Sequence, residues 1–131
     1  MTLSLITGGA GSIGSNLADQ LLAMGHKVTV VDNEYSDAHD QFYWNKDTYN
    51  VNCDIRDYKT LKNCMHGVDY VFHFAAEARI QPAILNPVGA ISINSVGTCT
   101  VLQCAREAGV KKLMYSSTSA GYGMNLSLIH I

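Results

Sequence analysis

The stretch Thr7-Gly8-Gly9-Ala10-Gly11-Ser12-Ile13-Gly14 holds glycines at spacings that suit contact with a phosphate. It fits Gly-x-x-Gly-x-x-Gly at Gly8, Gly11 and Gly14, and Gly-x-Gly-x-x-Gly at Gly9, Gly11 and Gly14. Glycine is needed where the backbone turns tightly and where a side chain would strike a pyrophosphate. A helix opening at this point would add unpaired N–H groups and a partial positive charge. Eighteen residues after Gly14 comes Asp32. A carboxylate at the end of a second strand can accept both hydroxyls of an adenosine ribose, and it repels a 2′-phosphate. No Lys or Arg directly follows Asp32 to receive such a phosphate. Together these residues imply a dinucleotide site that takes NAD in preference to NADP.

The elements that must position these residues alternate between strand and helix. Leu3–Thr7 is a short apolar strand. Ile13, Leu17, Leu21 and Leu22 then recur at helical spacing, with Gly25 closing the helix. Val28, Val30 and Val31 mark a second strand over 27–32, and Tyr49–Cys53 reads as a third. A short helix is expected over 57–66, an apolar strand over 68–74 and a fifth strand over 112–116. Asn86-Pro87 starts a long helix, expected to run to Ala108 and end at Gly109. Near-continuous apolar strands joined by helices imply a parallel sheet covered on both faces. Right-handed crossovers then bring all strand ends to one edge, where ligands bind at the reversal of strand order. The expectation is a Rossmann-like doubly wound α/β domain, strand order 3-2-1-4-5, truncated after the fifth strand. The connection over 33–50 carries Tyr35, Phe42, Tyr43, Trp44 and Tyr49. It is expected to pack, to cover the cofactor edge, or to meet other parts of the protein.

Composition narrows the classes. The chain of 131 residues is 47% hydrophobic and 15% charged, with a formal net charge of −2. No Lys/Arg block is present, so neither nucleic acid nor an anionic membrane is an expected partner. The amino terminus lacks the pattern of a signal peptide, and no apolar run reads as long enough to cross a bilayer. Cys53, Cys64, Cys99 and Cys104 form no Cys-x-x-Cys pair. They read as reduced thiols of a cytoplasmic protein, and no metal site is expected.

The set of motifs resembles the extended short-chain dehydrogenase/reductase family, in its nucleotide-sugar epimerase and dehydratase branch. The matching pieces are Thr7 to Gly14, Val31-Asp32-Asn33, Asp54-Ile55-Arg56-Asp57, His73-Phe74-Ala75-Ala76, Asn94 to Thr98, and Ser116-Ser117-Thr118 through Tyr122-Gly123. They occur in the family's order over nearly all of residues 3 to 123. The resemblance implies that Ser12 and Ile13 offer backbone N–H groups to the pyrophosphate, although many relatives carry an aromatic at the Ser12 position. It implies that Asn33 joins Asp32 in binding the cofactor, and that Asp54 and the Ile55 backbone hold the adenine. Phe74, Ala75 and Ala76 would line the ribose and pyrophosphate. Some relatives have a cofactor-contacting Lys where this chain has Ala78. Asn94 would make a polar contact within the long helix; a capping or surface role is the other reading. Thr118, four residues before Tyr122, would be the catalytic hydroxyl. The same resemblance implies a nucleotide-sugar substrate and a homodimeric parent.

The family's acid/base is a Tyr with a Lys four residues later, on a helix after the fifth strand. No such pair follows Gly123. One match, Tyr58-Lys59-Thr60-Leu61-Lys62, precedes the fourth strand and reads as an ordinary pair of helix neighbours. Residues 124–131 depart from the family pattern. Two readings stand for them, sequencing-adapter read-through and a natural tail, and the dinucleotide domain is therefore bounded at 1–123. The rival readings are a non-catalytic NAD-binding protein and an NADP-dependent reductase, against which Thr118 and Asp32 respectively argue.

Overall fold

The computed structural model describes residues 1–36, 41–118 and 121. Its strands are β1 (Leu3–Thr7), β2 (Lys27–Asp32), β3 (Tyr49–Asn52), β4 (Tyr70–His73) and β5 (Lys112–Tyr115). They form one five-stranded sheet in the order β3-β2-β1-β4-β5, and every pairing is parallel. The helices are α1 (Ser12–Ala23), α2 (Tyr58–Cys64), α3 (Ile80–Leu85), α4 (Pro87–Ile91) and α5 (Thr98–Ala108), with a π-helical segment at Ser92–Gly97.

Alternation along the strands divides the apolar side chains between two cores. Ile6, Val28 and Val30 point to one face and pack with Ala18 and Leu21 of α1. Leu5, Val31 and Val71 point to the other and pack with Leu61 of α2 and with Val101, Cys104 and Ala105 of α5. Each fully buried Leu, Ile or Val stabilises the fold by about 1.5–3 kcal/mol. Two parallel layers of helix on a central sheet are thus the expected Rossmann-like doubly wound architecture.

Two features were not legible in the sequence. Helix α3 contains Pro82, but at its third position, where the missing N–H has no intrahelical partner to lose. The expected helix after Pro87 does run on to Ala108 and end at Gly109, but it contains a π-helical turn at Ser92–Gly97, which shifts the following residues around the axis. The helix Pro87–Ala108 spans 22 residues, and its most apolar 18-residue window has a mean hydropathy of 1.3. Length and composition alone would let it cross a bilayer, which corrects the reading of the apolar runs. Here its inner face enters the core through Ile93, Val101 and Cys104.

Candidate functional site

Strand order reverses between β1 and β4, and a cleft of about 280 Å³ opens at the carboxyl edge beside it. One wall is the glycine loop. The Gly8 and Gly9 amides donate to the Val31 carbonyl at 2.8 and 3.4 Å, tying the loop to β2. Gly8 has φ +69°, and a Cβ there would meet the Ala75 amide nitrogen at 2.9 Å. A Cβ on Gly14 would run into the Gly8 carbonyl oxygen. Both positions therefore require glycine, one for conformation and contact, the other for contact alone. Helix α1 begins without a side-chain cap, whereas Asp57 caps α2 and Asn86 caps α4. Its first residues, Ser12 and Ile13, line the cleft, and the first N–H groups of a helix have no intrahelical partner. An uncapped helix start beside a cradle with no room for a Cβ fits a pyrophosphate.

The floor carries the acids. The Asp32 carboxylate accepts from the Ala10 amide at 3.1 Å and from the Glu34 amide at 2.8 Å. Glu34 holds the left-handed φ of +55° that this turn needs, and its carboxylate accepts from the Trp44 indole N–H at 2.7 Å. Asp54 accepts from the Arg56 amide and guanidinium, with an ion pair of 2.6 Å, and from Asn33 Nδ2 at 3.4 Å. The hydrogen bond from Arg56 is the main reason its carboxyl titrates below the ordinary range. Arg56 also donates to Ser92 Oγ at 3.0 Å, joining this loop to the π-helical segment. Tyr35, Ser36 and Phe42 close this end, so part of the aromatic connection does reach the cofactor edge.

The opposite wall is the chain after β4, with Phe74, Ala75 and Ala76 lining the cleft together with Glu77, Ala78 and Arg79. Asn94 does not line it. Its side chain accepts from the Glu77 amide at 2.8 Å and donates to the Glu77 carbonyl at 3.0 Å. The π-helical turn delivers it there, and it shapes the wall through backbone. Below the wall, His73 is 1% exposed and bridges the Thr7 and Thr98 hydroxyls at 2.6 and 2.8 Å.

The profile of the NAD dependent epimerase/dehydratase family matches residues 4–129. The chain belongs to that family. A UDP-N-acetyl-alpha-D-glucosaminuronate decarboxylase of Bacillus cytotoxicus is 38% identical over 122 residues, covering 91% of this chain and 37% of the relative. A UDP-glucose 4-epimerase of Thermotoga maritima, solved with UDP-glucose, superposes with a TM-score of 0.85 at 34% identity, covering 95% of this chain and 41% of that one. The UDP-glucose 4-epimerase of Stenotrophomonas maltophila, solved with NAD and formylated UDP-arabinopyranose, gives 0.81 at 32% identity, over 94% and 39%. The chain thus spans about two fifths of the relatives it matches.

As a member of the epimerase/dehydratase family, the chain brings Gly8, Gly11, Ser12, Ile13, Gly14, Asp32, Asn33, Asp54, Ile55, Phe74, Ala75 and Ala76 around one cleft. Thr118 is exposed beyond β5, at the same edge of the sheet but not among the lining residues. Tyr122, Gly123 and the tail 124–131 lie outside the described residues. Glu77, and the Arg56 partnership of Asp54, were not foreseen, because nothing in their spacing marks them. Tyr58 sits away from the cleft, where its hydroxyl donates to Glu107 at 2.5 Å and Lys62 lies 3.7 Å from the same carboxylate. Here Tyr58 and Lys62 clasp α2 to α5.

Burial lowers the His73 pKa from 6.5 to about 4, so the imidazole is neutral. The unfolded chain accepts a proton below pH 6.5 that the folded chain refuses. This group's stabilisation is therefore complete above pH 6.5 and lost as pH falls toward 4. Urea unfolding should show about 2–3 kcal/mol less stability from this source at pH 4.5 than at pH 7. His73→Leu should flatten that difference; an unchanged slope would assign it to other groups.

Proposed function

We propose that residues 1–123 are the NAD-binding domain of a nucleotide-sugar epimerase resembling UDP-glucose 4-epimerase, with 124–131 set apart from it. The observation that carries the reading is the cleft itself. Ser12 and Ile13, at the uncapped start of α1, line it together with Phe74, Ala75 and Ala76, and Asp32 lines it at the end this reading gives to the ribose. NAD, when bound, supplies reversible hydride transfer. The chain's own residues bind and orient it. Ser12 and Ile13 would donate to the pyrophosphate, Asp32 would accept from the ribose with Asn33 beside it, and Asp54 with Ile55 would border the adenine. Asn94 serves by holding the Glu77 backbone. The carboxylate of Asp32 retains acceptor capacity beyond its two amide donors, as a carboxylate has about four lone-pair sites.

In the parent protein a sugar 4-hydroxyl is oxidised to a transient ketone and reduced again on its other face. Thr118 is the hydroxyl assigned to that proton relay. The substrate is a nucleotide sugar, the parent is a cytoplasmic homodimer, and exposed Leu85, Val88 and Ile91 fit the contact with a second copy. The decarboxylase relative favours a second reading, in which the same oxidation precedes loss of carbon dioxide, a proton taking its place on carbon, or, in a 4,6-dehydratase, loss of water.

Asp32→Ala should weaken NAD binding by about 1–3 kcal/mol in titration calorimetry and narrow the preference over NADP. Tighter binding of NADP by the wild type would sink the cofactor assignment. In the full-length parent, Thr118→Val should lower turnover by roughly 10²–10⁴ while leaving NAD affinity nearly unchanged. Turnover within a factor of about two of wild type would move the role to Ser117 or Ser119. The 131-residue chain alone, which has no Tyr-x-x-x-Lys after β5, should not interconvert UDP-glucose and UDP-galactose. Turnover abolished by Tyr58→Phe would mean that the α2 pair is the real acid/base.

A further inference from the structure

His73 and Thr7 take no part in the contacts assigned above, yet they are the most completely enclosed polar groups beneath the cleft. A threonine hydroxyl offers one proton and two lone pairs. At Thr7 Oγ1 the Ala75 amide donates at 3.2 Å. The Phe74 amide donates at 3.1 Å, shared with the Thr7 carbonyl. These two donors occupy the lone pairs. The hydroxyl proton then points to the remaining neighbour, His73 Nδ1, at 2.6 Å. Nδ1 must accept, so the ring proton resides on Nε2, which donates to Thr98 Oγ1 at 2.8 Å. The other tautomer, or the imidazolium, would require Thr7 Oγ1 to accept a third hydrogen bond.

We propose that His73 is a positioning residue for the cleft, locked as its Nε2–H tautomer and, through Thr7, fixing the amides of Phe74 and Ala75. The chain of bonds runs from α5 through β4 to β1 and ends on the wall that faces the glycine loop. Its tolerance is small. The Gly8 Cα already packs so closely on this wall that a Cβ would reach the Ala75 nitrogen at 2.9 Å. A shift of the wall therefore alters the width of the cleft. The inference rests on the reading of that cleft as the NAD site.

The test uses the 131-residue chain. In the wild type, long-range proton–nitrogen correlation of His73 should show an unprotonated Nδ1 and a protonated Nε2. A protonated Nδ1 would overturn the proposal without any variant. Calorimetry then compares NAD with AMP, which lacks the half of the dinucleotide expected along the 74–76 wall. Thr7→Val and His73→Phe should weaken NAD roughly tenfold and leave AMP within about twofold. Thr7→Ser, which keeps the hydroxyl, should restore NAD binding. Thr98→Val, which removes only the Nε2 acceptor, gives a milder second route if the first two fail to fold, and should weaken NAD but not AMP. Equal losses for both ligands, or no loss in a folded variant, would overturn the positioning role alone. A wild type that binds neither ligand would overturn the cofactor reading and this proposal with it.

Discussion

The cleft depends on how closely three pieces of backbone approach one another where β1 and β4 end. Gly8 lies against the amide of Ala75, Gly14 lies against the carbonyl of Gly8, and the Gly8 amide donates to Val31 at 2.8 Å. Side chains take almost no part in these contacts. A parallel sheet makes this arrangement available, because it lines up all strand ends and leaves their terminal amides and carbonyls at one edge. Close packing there leaves the edge little room to shift, since interiors pack at the density of organic crystals. The uncapped start of α1 follows from the same economy of atoms. A side-chain cap would fill the position that an anion takes.

Polar side chains near the cleft act mainly on backbone. Asp32 holds the amides of Ala10 and Glu34, Asn94 grips both backbone polar groups of Glu77, and Thr7 holds the amides of Phe74 and Ala75. The Asp54–Arg56 pair is about one third exposed on each side, so solvent screens it. Its direct contribution to stability is at most about 1 kcal/mol. Its consequence is geometric. It points the Asp54 carboxylate, and through the Arg56–Ser92 bond it joins the loop after β3 to the π-helical segment. That segment also carries Asn94 to the loop after β4 and places Gly97 against Ile55, where a Cβ would strike the isoleucine side chain. One irregular turn of helix thus touches the loops that border both ends of the cleft.

What was legible in the sequence follows from this division. Strand apolarity and the placement of Gly25, Asn86 and Gly109 are local signals, and the five strands and their order could be read from them. The glycine loop and Asp32 could be read because their spacing is imposed by backbone geometry within one β-α-β unit. Asn94 could be singled out, but its partner could not. A side chain that bonds backbone seventeen residues earlier leaves no trace in periodicity. The π-helical turn was hidden for a related reason. Val96, Thr98 and Thr100 are β-branched, yet propensity is a weak prior and does not say which turn widens. Helix α3 was hidden by Pro82, which usually signals a break and is tolerated only by its place in the first turn.

The apolar residues that remain exposed lie apart from these polar clamps. Ile80, Leu85, Val88 and Ile91 are each more than half exposed on α3 and α4, and Met114 and Tyr115 are exposed on β5. Exposed apolar surface of this kind marks places that other structure covers. The exposed residues of α4 sit opposite Ala90, which turns inward, so burying them need not disturb the core. Met114 follows Leu113, which packs in the core with α5, and alternation sends it to the face of the sheet that α1 leaves open beside β4. The bonds that set the cleft, at Thr7, His73, Asp32 and Asn94, run between β1, β2, β4 and the helix after Pro87, all within the described residues. The cofactor edge is therefore shaped from inside this part of the sheet. Covering the apolar residues of α4 and β5 need not redraw it.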